Sequence, residues 1–150
     1  MKIVFNYKYF KRKFKHAEEA KRLIHYIVQQ EKKKLGEINV IFTSNENILE
    51  INKAYLSHNY YTDVITFGSN YKDYISGDIY ISIDQVINNS ERYKTQRVEE
   101  LFRVIIHGVL HLVGYDDIRT MDKSSMKEKE EVYLKTLSNK MKLDSDELVL

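Results

Sequence analysis

Apolar positions change their period along this chain, and the changes mark its elements. Lys2 to Tyr7 reads as a first strand. From about His16 to Leu35, Ala17, Ala20, Ile24, Ile27 and Val28 recur along one stripe. That spacing predicts an amphipathic helix with Gly36 as its stop. His25 sits close to the stripe and reads as a packing or surface residue. Ile38 to Thr43 is a second strand, and Ser44 or Asn45 can cap a helix carrying Ile48, Leu49, Ile51 and Tyr55. Asp63 to Phe67 and Asp78 to Ile83 read as third and fourth strands, joined across the turn residues Asn70, Asp73 and Gly77. A connection that short argues for antiparallel pairing. Asp84 to Lys94 is helical. From Val98 to Val113, Leu101, Val104, Ile105, Val109 and Leu112 recur without a proline, and Gly114 falls where helices commonly stop. Thr120 to Ser138 is charged and helix-prone, with Met126, Val132, Tyr133 and Leu137 as its few buried candidates. Residues from Asn139 onward read as a frayed tail. The expectation is one α+β domain over residues 1–150, a four-stranded mixed sheet with helices, the Val98–Val113 helix lying across one sheet face.

Composition narrows the classes. With 43% hydrophobic and 31% charged residues, the chain matches ordinary soluble globular proteins. It contains no cysteine, so disulfides and thiolate metal sites are excluded, and any ion must be held by His, Asp or Glu. No apolar run is long enough to span a bilayer, and Asn6, Lys8 and Lys11 interrupt Ile3-Val4-Phe5 too soon for a signal peptide. Cytoplasmic residence is the expectation. The net charge of +2 is unevenly spread. Residues 2–34 hold eleven Lys or Arg against Glu18, Glu19 and Glu31, about eight charges positive. Such a patch suits a polyanion, although a solvated helix face would look the same.

The chemistry gathers at the end of the Val98–Val113 helix. His107 and His111 are four residues apart, so their imidazoles project from one helix face and can grip one metal ion. After the bend at Gly114, Asp116 or Asp117 can reach a third corner. Two nitrogens and a carboxylate oxygen, with a position left for water, make a catalytic rather than structural pattern. The spacing follows the long zinc-protease pattern H-E-x-x-H-x-x-G-x-x-H, with Asp117 at the last ligand place. The glutamate base of that pattern is replaced by Gly108, which counts against peptide hydrolysis. Zinc is the first expectation, and the carboxylate ligand lets Mn²⁺, Co²⁺ or Ni²⁺ compete.

The stretch His107-Gly-Val-Leu-His111-Leu-Val-Gly114-Tyr-Asp-Asp117 resembles the metal motif H-G-x-L-H-L-x-G-Y-D-H of the YbeY family of bacterial rRNA maturation factors and endoribonucleases. Thr62-Asp-Val-Ile-Thr-Phe67 resembles the family's T-D-V-L-S-F, and Gly77-Asp-Ile-Tyr-Ile-Ser82 its G-D-I-V-I-S. Met126 also falls at the family's spacing. Two positions depart from the pattern: Asp117 stands where the family has histidine, and Leu56 where it has an arginine after the tyrosine of N-x-x-Y. The resemblance implies a zincin-like fold in which one strand walls the cleft beside the metal helix, and Asp63 to Phe67 is the strand expected there. It also implies a metal-dependent endoribonuclease for single-stranded RNA, acting in ribosomal RNA maturation with ribosome or ribosome-assembly proteins as partners.

Under that reading His107, His111 and Asp117 hold the ion, and water activated by it is the nucleophile, with no side chain assigned as base. Lys53, His58, Arg103 and Arg119 are candidates to hold the phosphate in place of the missing arginine. Arg103 lies one turn before His107 and has Glu99 or Glu100 as alternative partners. Asp63 can contact the motif helix or substrate, or end its strand. Tyr55, Tyr60 and Tyr61 are the tyrosines nearest the cleft, and Tyr115 braces the turn. Two other functions fit the same residues: a metal hydrolase of peptides, amides or another small substrate, and a non-catalytic RNA- or ribosome-binding factor with a structural metal.

Overall fold

The computed structural model describes residues 2–56, 62–116 and 119–140, with side chains to residue 137. The elements run β1 (Lys2–Tyr7), α1 (Ala17–Gln30), β2 (Lys34–Thr43), α2 (Asn45–Leu56), β3 (Val64–Gly68), β4 (Tyr74–Ser82), α3 (Ile83–Tyr93), α4 (Arg97–Val113) and α5 (Thr120–Lys140). The sheet order is β1-β2-β4-β3. β1 and β4 both run parallel to β2, whereas β3 is antiparallel to β4, as the short connection predicts.

Side-chain alternation gives the sheet two faces. Val40 and Phe42 of β2 pair with Ile79 and Ile81 of β4, and all four are buried. They meet Ala20, Leu23, Ile24, Ile27 and Val28 of α1 and Leu101, Ile105 and Val109 of α4 in one core. A Cβ added at Gly108 would lie 2.7 Å from Ile79 Cγ2 and 3.5 Å from Thr66 Cγ2. Helix α4 is thus pressed onto β3 and β4 at the turn that carries both histidines. Thr66 pairs with Ile79 on this face, so Ile65 and Phe67 turn to the other, where Tyr55 of α2 meets Phe67.

Three expectations need correction, at the end of the first helix, at Gly36 and at Val132. The first helix stops at Gln30 rather than Leu35, because Lys32 takes the left-handed conformation and its neighbours close the end: Lys33 N donates to Val28 O. Gly36 therefore lies inside β2, where a Cβ would meet Ser76 Oγ at 2.1 Å. Val132 is exposed, since the buried stripe of α5 passes through Met126, Tyr133, Leu134 and Leu137. Tyr55 is 73% exposed, and the buried side of α2 is carried by Asn47, Ile48 and Asn52.

Candidate metal centre

Helix α4 ends as its sequence requires. Gly114 adopts φ 115°, and Tyr115 N donates to Leu110 O. That closure aims the Tyr115 carbonyl back at the helix, where it lies 3.1 Å from His111 Nδ1. A carbonyl only accepts, so Nδ1 of His111 carries the proton and Nε2 presents a lone pair. His107 is set the same way by a different element. Its Nδ1 lies 3.3 Å from Oε2 of Glu130, a buried residue of α5. A metal-binding histidine is commonly held through its second nitrogen in this manner.

The two Nε2 atoms then face each other 3.1 Å apart. Two lone pairs at that separation repel unless a positive charge sits between them. An ion bound tetrahedrally at about 2.0–2.1 Å from each nitrogen would hold them about 3.3 Å apart, so the pair fits a zinc-sized cation. The third expected ligand, Asp117, lies outside the described residues, as do His58, Tyr60 and Tyr61. Asp116 is exposed. No set of three or more ligating side chains is complete among the described residues.

Around the pair lies a cleft of about 350 Å³ lined by Thr62, Asp63, Val64, Glu100, Arg103, Val104, His107, His111 and Glu130. A second hollow of about 240 Å³ runs from His111 along Thr66, Ile65 and Val64 to Asn52 and Leu56. Strand β3 is therefore the wall between the helix and the open edge of the sheet, as the sequence predicts. Arg103 is in the cleft, one turn from His107, and is bound to carboxylates: Nη1 to Glu131 at 2.6 Å and Nε to Glu100 at 3.7 Å. Asp63 lines the cleft and stands just before β3. It accepts from Asn89 Nδ2 at 3.0 Å and, through its carbonyl, from Ser82 N. Lys53 is exposed on α2. Arg119 is outside the cleft, paired with Asp122 at 2.8 Å.

Three residues of the site were not legible from spacing. Glu100 is buried within the cleft, which pushes its carboxyl up to about 7; Arg103 opposes the rise, and Asp63 and Glu130 add to it. Glu130 is 23 positions from His107 and meets it only because α5 folds back over α4. Glu31, just past α1, accepts from the hydroxyls of Tyr115 (2.7 Å) and Tyr133, and from Lys129 Nζ at 3.3 Å. The predicted bracing by Tyr115 is real, and its other end is this carboxylate.

The family model described as Endoribonuclease YbeY matches residues 4–138. Endoribonuclease YbeY of Karelsulcia muelleri is 42% identical over 139 residues, which cover 91% of this chain and 98% of that protein. The Parabacteroides distasonis protein of the same name is 50% identical over 98 residues, covering 65% and 69%. The solution structure of TM1509 from Thermotoga maritima superposes with a TM-score of 0.67 at 30% identity, covering 93% of this chain and 91% of that one. With the paired imidazoles on α4, the wall of β3 and a match over nearly the whole length, this chain belongs to the YbeY family.

Proposed function

We propose that the chain is a metal-dependent endoribonuclease that cuts single-stranded RNA in the cytoplasm during maturation of ribosomal RNA at the 3′ end of the small-subunit RNA, and serves in ribosome quality control. The observation that carries this reading is the pair of Nε2 atoms converging at 3.1 Å, each imidazole fixed from behind. Family membership and the relatives' shared name give the substrate class.

His107, His111 and Asp117 would hold the ion, with zinc the preferred occupant of two imidazoles and a carboxylate. Such an ion supplies Lewis acidity toward a phosphoryl oxygen and makes water nucleophilic near neutral pH. The chain's own groups do the rest. Glu130 and the Tyr115 carbonyl keep protons on the Nδ1 atoms, so both Nε2 atoms stay available. Among the described residues Arg103 is the Lys or Arg that lines the cleft, and an incoming phosphate competes with Glu131 and Glu100 for its guanidinium. Burial pushes the Glu100 carboxyl up to about 7 in the metal-free chain, which favours its neutral form there. Gly108 packs against Ile79 with no space for a catalytic side chain, which counts against the peptidase chemistry of the longer zinc motif.

Defined single-stranded RNA incubated with zinc-loaded protein should be cut, and both chelation and His111→Ala should abolish the cut. Cleavage that survives either treatment would overturn the proposal. Elemental analysis of protein prepared without added metal would identify the ion.

A further inference from the structure

Three aromatic rings form a contiguous row on the sheet face opposite α4. Tyr55, on the last turn of α2, meets Phe67 of β3 edge-on, with centroids 5.8 Å apart and planes at 76°. Phe67 meets Tyr80 of β4 in the same way, at 5.9 Å and 87°. In an edge-on pair one ring sets its rim against a face of the other, so each ring keeps at least one face for other partners. Tyr55 is 73% exposed, although its neighbours in the row are partly covered. The row stands beside the second hollow, whose lining holds none of the three rings but includes the residue that follows Tyr55. The hollow that starts at His111 crosses Thr66 and Ile65 of β3, an edge strand, and ends at Leu56, the residue after Tyr55. A ring open for stacking beside a channel that leads to the histidines matches a flat, unpaired base of a strand lying in that channel.

We propose that Tyr55, backed by Phe67 and Tyr80, is a stacking subsite for an unpaired base of the RNA strand held in the cleft. The inference rests on the ribonuclease reading above and adds where the strand leaves the metal centre: over the free edge of β3, toward the end of α2. Because every base has a π-face, the subsite tolerates sequence and selects for single strands.

The test is a cycle between protein and RNA, with metal-loaded full-length chain. Tyr55→Ala should raise KM by roughly 5- to 100-fold, the loss associated with one stacked base, and leave kcat within about twofold; Tyr55→Phe should behave as wild type. An RNA carrying one abasic position at the matching place should bring a similar penalty to the wild-type protein and little further penalty to Tyr55→Ala. Equal penalties on both proteins, or an unchanged KM for Tyr55→Ala, would overturn the subsite. The same comparison by fluorescence anisotropy reads binding alone. A wild-type chain that binds RNA without cutting it would therefore sink the proposed activity and still decide the subsite, whereas one that binds no RNA would sink both.

Discussion

Gly108 shows how one side chain can be decided by packing while it looks like a statement about chemistry. Read in the motif, its lack of a carboxylate removes a base; in the fold, a Cβ there would collide with Ile79 Cγ2, a branch fixed in a fully buried residue. Gly108→Ala gains about 1 kcal/mol of helix propensity but has to move α4 or Ile79. Overpacking of that kind costs about 1–3 kcal/mol, so the net expectation is a loss of up to about 2 kcal/mol, read as a lower urea midpoint. Glu100 gives the second prediction at this scale. Its folded pKa of about 7 lies above the ordinary 4.5, so the folded state binds the extra proton between those values. Its contribution is complete below about pH 4.5 and declines as pH rises through about 7. In metal-free protein, Glu100→Gln should flatten the fall in stability between pH 5 and 8 by up to roughly 3 kcal/mol. A variant with the wild-type slope would contradict this. Neither residue's environment was legible in the sequence, since Ile79 and Asp63 approach from other elements.

At the scale of elements, local patterns place the boundaries well where a chemical signal coincides with the end of an element. Gly114 closes α4 as its position suggests. Gly36 reads as a helix stop because the actual stop, Lys32, has no side-chain signature for a left-handed backbone, and Leu35 prolongs the apolar pattern into β2. The candidate site was half legible for the same reason. His107 and His111 share a helix, so their spacing is a geometric statement, whereas Glu130 and Glu31 are brought in by tertiary packing. Glu31 ties the end of α1 to α5 and to the turn that orients His111. Burial pushes its carboxyl up, but Tyr115, Tyr133 and Lys129 together outweigh that and hold it below the ordinary value. The stability it contributes is therefore present above the ordinary carboxylate range and lost as pH falls through its lowered pKa. Glu31→Ala should strand two tyrosine hydroxyls, costing about 1–3 kcal/mol. By loosening Tyr115 it should also weaken zinc affinity about tenfold or more in a chelator competition. Unchanged affinity in a destabilised variant would show that Tyr115 holds its carbonyl without help.

For the whole molecule, the informative feature is the separation of charge from chemistry. Lys11, Arg12, Lys13 and Lys15 are exposed on the connector that follows β1, one edge of the sheet, while the cleft is walled by β3, the other edge. Three strand spacings of about 4.8 Å put those edges about 14 Å apart before side chains are counted. The cleft itself carries Asp63, Glu100 and Glu130, so it does not attract a polyanion strongly on its own. If the basic connector supplies that attraction, its effect must depend on substrate length: one or two nucleotides at the histidines cannot reach it, and a longer strand can. Changing all four cations to Gln should leave kcat/KM on the shortest cleavable oligonucleotide nearly unaltered. On a strand of twenty or so nucleotides it should weaken binding and reduce the dependence of log K on log salt by about 0.7 for each phosphate that is no longer neutralised. An equal penalty on short and long strands would mean that the connector touches the cleft directly, and an unchanged salt slope on the long strand would show that this charge is only a solvated surface.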